Sequence, residues 1–301
     1  MSLEEEIEEN KKAPTAIRIL KLLLKIGITI LCFWYISTKI DFRNILNVIT
    51  KANWVILFIA FLFFILSKIL SALRLNINFR NIGIHLSEQK NLKLYWLGMF
   101  YNLFLPGAIS GDAYKVILIN RKYKASYKKI SAAVLLDRFS GVMALGIILS
   151  VYGVVVLDNP IYDTILIAGA ALMILLFYLA VRFLLKDFLP GFLPTFFWGL
   201  AVQTSQVVCI YFILWSLNIP LNQHEWIFIF LASAVISVLP ISLGGGLGTR
   251  ELIFSVGARF FHLDPQSGVV ISLLFYLLTL ITSVWGLYFN FHDPLAEDQK
   301  N

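Results

Sequence analysis

Arg250 and Glu251 are adjacent ionisable residues in an apolar part of a 301-residue chain, the stretch Ile236 to Phe254, ISVLPISLGGGLGTRELIF. The helical pattern breaks at Pro240, passes through Gly244, Gly245, Gly246 and Gly248, and restarts at Thr249. A charge at bilayer depth costs roughly 2.5 to 3.5 kcal/mol on insertion scales, so charges kept there line a polar cavity or bind something. If Thr249 caps the helix that follows, the first-turn amides and the helix dipole favour an anion, and Arg250 adds a full positive charge. A phosphate headgroup suits that arrangement, because a guanidinium offers a planar fork of donors and stays charged when buried. Successive residues on a helix cannot face each other, so each needs its own partner: Lys115 or Arg138 for Glu251, and Asp112 or a ligand for Arg250. The plainer alternative is a set of structural ion pairs locking parts of the chain together.

A second interruption carries the other polar set. In Leu94 to Arg121, LYWLGMFYNLFLPGAISGDAYKVILINR, two short apolar runs flank Pro106, Gly107, Ser110, Gly111 and Asp112, with Asn102 shortly before them. Asp112 and Lys115 are three apart and share a helical face, either as part of a site or as a simple i,i+3 ion pair. Asp137 and Arg138, near the start of the next apolar run, are either interface charges or cavity lining. His85, His224, His262 and His292 are isolated, so no metal site is expected. Cys32 and Cys209 lie in separate apolar runs and indicate neither a disulfide framework nor a thiolate site. GGGLGT is not a P-loop, since no Lys precedes the Thr, and no nucleophile with its base is recognisable. Hence no cofactor and no catalytic residue is expected; Asp137 or Glu251 as a general base is the most an enzymatic reading offers.

The elements that must position these groups are membrane spans. The chain is 59% hydrophobic and 14% charged, with a mean hydropathy of +0.80, outside the soluble range. It reads as an all-α polytopic membrane protein forming one integral membrane domain over residues 1–301. A polar N-terminal segment, 1–16, lacks the order of a cleavable signal and precedes a first span at about Ile17 to Tyr35. Further spans are expected at Trp54 to Leu73, Ile130 to Leu157, Thr164 to Leu185, Phe196 to Leu217 and Val269 to Phe291, six in all, before a polar tail, 292–301. Lys68 lies about a turn from the end of its span, where it can snorkel, and the segment from Arg74 to Lys93 reads as cytoplasmic. The stretches 94–121 and 227–262 have apolar arms too short to cross and read as two re-entrant broken-helix hairpins, one from each side. Their tips would meet near the midplane as inverted repeats, a symmetry drawn from topology alone. The net charge of +7 gathers at span ends, as orientation signals do, which argues against nucleic-acid binding and puts both termini on the cytoplasmic side of the cell membrane.

At both interruptions the sequence resembles the membrane part of lysylphosphatidylglycerol synthases and the stand-alone flippase-like proteins related to it. The residues that carry the resemblance are Asn102 to Asp112 (NLFLPGAISGD), Asp137 and Arg138 with Gly141, and Leu239 to Glu251 (LPISLGGGLGTRE), in the family's order and rough spacing. Ser110 stands where a glycine is usual and Lys115 where an arginine is expected. The large soluble aminoacyl-transferase region of the full synthases is missing. The resemblance implies movement of lipid between leaflets without synthesis. The expected function is therefore a flippase or transporter, not an enzyme, that moves an anionic phospholipid or a polyprenyl-phosphate-linked headgroup through a polar midplane cavity. Membrane lipid is the expected partner, with a membrane enzyme or a second copy of the chain left open. The residues named at the two interruptions, with Asp137 and Arg138, form the expected substrate site. The alternatives are a non-transporting subunit that holds lipid for a partner enzyme, and a membrane-embedded lipid-modifying enzyme.

Overall fold

A computed structural model describes residues 52–104, 110–238 and 249–296, and the regular elements in them are helices. The first expected span, Pro106, Gly107, Gly244, Gly245, Gly246 and Gly248 lie outside the described residues.

Helix α1 (Trp54–Asn81) opens on Asn53, whose side chain accepts hydrogen bonds from the amides of Val55 and Ile56 at 3.1 and 3.4 Å. These are donors that a helix start otherwise leaves without partners. The helix runs 28 residues, about 42 Å at the standard rise. It gives way to a turn in which Gly83 takes a φ of +79°, a conformation side chains disfavour. The helix passes its expected end at Leu73 because Leu75 and Phe79, four apart and both buried, continue the apolar stripe. The helix thus runs on past Leu73: Lys68 sits thirteen residues before the end of α1, and Arg74 belongs to the helix and is only 5% exposed.

The chain continues through α2 (Glu88–Phe104), α3 (Ser110–Tyr123), α4 (Tyr127–Leu157) and α5 (Pro160–Leu184). A 3-10 turn over Lys186–Gly191 leads directly into α6 (Phe192–Ser216), so the Pro-containing segment tightens the start of that span without interrupting it. Then come α7 (Glu225–Val238), α8 (Thr249–Phe260) and α9 (Pro265–Val284), the last extended by a 3-10 turn and the short α10 (Tyr288–Phe291). Asp264 caps α9, accepting hydrogen bonds from the Ser267 hydroxyl at 2.7 Å and from the Ser267 and Gln266 amides at 2.9 and 3.1 Å. These bonds, the Ser267 hydroxyl's foremost, hold its carboxyl below the usual carboxylate range.

Five stretches are long and apolar enough to cross a membrane: Trp54–Asn81, Tyr127–Leu157, Pro160–Leu184, Lys186–Ser216 and Pro265–Phe291. The chain is thus a polytopic α-helical membrane protein. Helix α5 buries only Val181 and exposes Ile165, Leu172 and Leu176, a surface that lipid tails solvate without penalty. In the interior, α1 and α6 pack along each other more extensively than any other pair. An aromatic core of Phe64, Trp226, Phe230, Phe254 and Phe275 joins α1 to α7, α8 and α9. A second core around Leu75, Phe79, Ile119, Ile130 and Val134 joins α1 to α3 and α4. Lys68 and Arg74 lie on α1 between Phe64 of the first core and Leu75 of the second.

Candidate functional site

The first interrupted pair, α2 and α3, is fastened at its open end by its own polar residues. The Ser110 hydroxyl donates to the Tyr101 carbonyl and the Gly111 amide to the Asn102 side chain, both at 2.8 Å. The backbones pass so closely that a Cβ at Gly111 would collide with the Gly98 carbonyl, and one at Gly98 with the Lys115 side chain. Asn102, Ser110 and Gly111 therefore close this pair. One turn on, Lys115 places its ammonium 3.1 Å from Asp112 Oδ1 and 4.5 Å from the centroid of the Tyr95 ring. Arg138 reaches across from α4 and donates through Nε to Asp112 Oδ2. The Asp112 carboxylate, 5% exposed, is thus held between two cations, as buried charges require.

Asp137, adjacent to Arg138, points instead to α1. It accepts two hydrogen bonds from Arg74, Nε to Oδ1 at 2.7 Å and Nη2 to Oδ2 at 3.1 Å. This is a bidentate pair in which the fork of the guanidinium matches both carboxylate oxygens. Gly141, one turn further along α4, leaves room for that guanidinium, since a Cβ there would stand 3.1 Å from Nη1. Gln203 of α6 donates to the Gly141 carbonyl at 3.2 Å. Arg74 Nη1 and Gln203 Oε1, a buried donor and a buried acceptor beside the same glycine, have no hydrogen-bond partner among the described residues.

At the second interrupted pair, Thr249 and Arg250 open α8. Arg250 Nε lies 3.3 Å from the Ser237 hydroxyl of α7, and its guanidinium carbon stands 4.8 Å from the centroid of Phe275 on α9. Glu251 accepts from the Ser272 hydroxyl at 3.2 Å. Of the partners weighed from the sequence, Asp112 is taken by Lys115 and Arg138, so Lys115 is not the partner of Glu251, nor Asp112 of Arg250. Against the Phe275 ring lies that of Phe64, over which stands a residue that the sequence reading placed near a span end and not in the site. Lys68 holds its ammonium 4.5 Å above the Phe64 ring.

The site is therefore a run of buried and partly buried charges: Arg250, Lys68, Arg74, Asp137, Arg138, Asp112 and Lys115, with Glu251 beside its first member. Arg74 had a readable signal, because Asp137 is an acid within an apolar helix and needs a cation. The signal for Lys68 was weaker: a lone cation in an apolar run lies within a helix, and not at its end, only if the helix continues past it, as Leu75 and Phe79 make it do.

Two interrupted helix pairs that carry charges inward among membrane spans define the class, a polytopic membrane protein with a polar interior. Residues 22–190 and 188–286 match the family described as lysylphosphatidylglycerol synthase TM region, and the chain belongs to that family. Among curated proteins it is similar to the UPF0104 membrane protein PH1989 of Pyrococcus horikoshii, 29% identical over 126 residues. That stretch covers 40% of this chain and 36% of the relative's length. No solved structure matches the chain.

Proposed function

We propose that this protein moves an anionic lipid between the two leaflets of the cell membrane, by way of polar groups that the two interrupted helix pairs carry inward. The observation that supports this most directly is Arg250. Its guanidinium lies in the first turn of α8 against a serine hydroxyl and an aromatic ring, and among the described residues it forms no ion pair with a carboxylate. Asp112 and Asp137 have their own cations, and Glu251, whose field does reach Arg250, is hydrogen-bonded to Ser272. A cation kept among spanning helices without its own acid is what a site for a transient anion requires. A phosphate there would meet both the guanidinium fork and the first-turn amides of α8.

In this reading α2–α3 and α7–α8 are re-entrant hairpins entering from opposite faces, and both chain termini are cytoplasmic. Thr249, Arg250, Glu251 and the glycines before them receive the headgroup, while Asp112, Lys115, Asp137 and Arg138 hold the neighbouring helices in place. No bond is made or broken in the lipid, so the protein is a transporter and not an enzyme. The family's description refers to the membrane region of a lipid-modifying synthase, which agrees with a role in handling lipid.

Two measurements test the proposal. Native mass spectrometry of the detergent-solubilised protein should find a retained anionic lipid that Arg250→Ala loses. Reconstituted vesicles carrying fluorescent phosphatidylglycerol should expose the inner-leaflet label to a membrane-impermeant quencher faster with the wild type than with Arg250→Ala. Equal exchange with the wild type, with Arg250→Ala and in protein-free vesicles would reject transport. Retained lipid without exchange would favour a subunit that holds lipid for a partner enzyme.

A further inference from the structure

We infer that Lys68 and Arg250 together form a two-cation receptor for a phosphate-type anion, and that this pair restricts the cargo to headgroups with a net negative charge. The inference rests on the transport reading above and goes beyond it by naming Lys68 and the charge class of the cargo.

The geometry is that of one site built by three elements. Lys68 comes from α1, Arg250 from the first turn of α8, and the floor is made by Phe64 of α1 and Phe275 of α9, whose rings meet edge to face with centroids 5.3 Å apart. Lys68 stands 4.5 Å from the first ring and Arg250 4.8 Å from the second, so the two cations rise over adjoining aromatic surfaces. Through the contact between these rings the two cations share one aromatic neighbourhood. Ring faces attract cations but do not cancel their charge.

The charge count points the same way. In the run described above there are five cations, Lys68, Arg74, Lys115, Arg138 and Arg250, against the three acids Asp112, Asp137 and Glu251. Arg74 is matched by Asp137 and Asp112 is shared by Lys115 and Arg138, which leaves two cations, Lys68 and Arg250, to one acid, Glu251. Lys68 makes no ion pair among the described residues. Like charges gathered in a low-dielectric interior raise the free energy of the fold unless an anion joins them. The two side chains are also complementary as receptors. A guanidinium binds two phosphate oxygens through its fork, and an ammonium serves a further oxygen as a point charge. A zwitterionic headgroup would bring its own cation next to Lys68, which explains why such a pair would discriminate by net charge and not merely by the presence of phosphate.

The experiment uses the full-length protein reconstituted in equimolar phosphatidylglycerol and phosphatidylcholine, re-extracted, and analysed for the ratio of the two lipids retained. The wild type should retain phosphatidylglycerol preferentially. Lys68→Met should reduce that preference at least about tenfold, the loss expected for one charge-assisted contact, and Lys68→Arg should preserve it. Thermal unfolding in detergent separates this role from a structural one: Lys68 leaves no acid behind, so Lys68→Met should unfold no earlier than the wild type. Equal retention of the two lipids by the wild type, or an unchanged ratio in Lys68→Met, would overturn the inference. Free phosphate and lipid phosphate share the same chemistry, so a second arm compares stabilisation by inorganic phosphate and by short-chain phosphatidylglycerol at one concentration. Stabilisation by the lipid alone supports a headgroup site, whereas stabilisation by inorganic phosphate alone overturns the assignment to a lipid cargo. Leaflet exchange at equal rates for both lipids would sink the charge selectivity and leave transport standing. Selective retention with no exchange would do the opposite.

Discussion

Arg74, which is buried, and Lys68, which is partly buried, lie six residues apart on one helix and are held in opposite ways. Arg74 is clamped by both oxygens of Asp137, so removing the acid leaves an uncompensated guanidinium in the interior. Asp137→Asn should therefore destabilise the protein by about 3 kcal/mol or more, as breaking a buried pair does. Thermal unfolding in detergent measures this, and a variant as stable as the wild type would show that the pair contributes nothing. Lys68→Met should not follow this pattern, because among the described residues no carboxylate pairs with Lys68. Lys115, at a position where the resemblance implies an arginine, has a local physical reason. Its ammonium fits between Asp112 and the Tyr95 ring, and its stem passes so close to Gly98 that even a Cβ there has no room.

At the scale of elements, the close approach of α2 and α3 requires two glycines in addition to the apolar residues the helices bury together. Gly98 and Gly111 bring the backbones together closely enough for the Gly111 amide to reach Asn102 at 2.8 Å. Gly111→Ala would drive a methyl group into the Gly98 carbonyl. The two helices would have to separate, at a cost of roughly 1 to 3 kcal/mol typical of overpacking, with loss of the fit between Asp112 and Arg138. A lower unfolding temperature together with weaker lipid retention is the expected result; wild-type stability would mean that the helices pass less closely than described. The helices on either side of both interruptions were legible from Pro and Gly placement. The true length of α1 was not, because a charged residue within an apolar stripe looks like an end until its partner, 63 positions away in the sequence, is known.

At the scale of the whole molecule, the transport reading requires the two interruptions to face the membrane interior from opposite sides. Cysteines introduced singly at Ser110 and Thr249, with Cys32 and Cys209 replaced, should react with membrane-impermeant reagents from opposite sides of sealed vesicles. Free reaction of both from the same side only would reject the inverted arrangement. The sequence by itself determined the class, since composition leaves no other solvent for such a chain, and it determined which charged residues stand near the Pro- and Gly-containing stretches. The tertiary structure alone decided the pairing: Asp112 with Lys115 and Arg138, Asp137 with Arg74, and Lys68 beside Arg250 over two touching rings. The physical reason is that helical periodicity specifies which face a residue occupies, whereas the partner across that face depends on how helices distant in sequence are rotated and stacked. That Lys68 and Arg250 outnumber the one acid beside them, Glu251, becomes visible only after Asp112 and Asp137 have been matched in space.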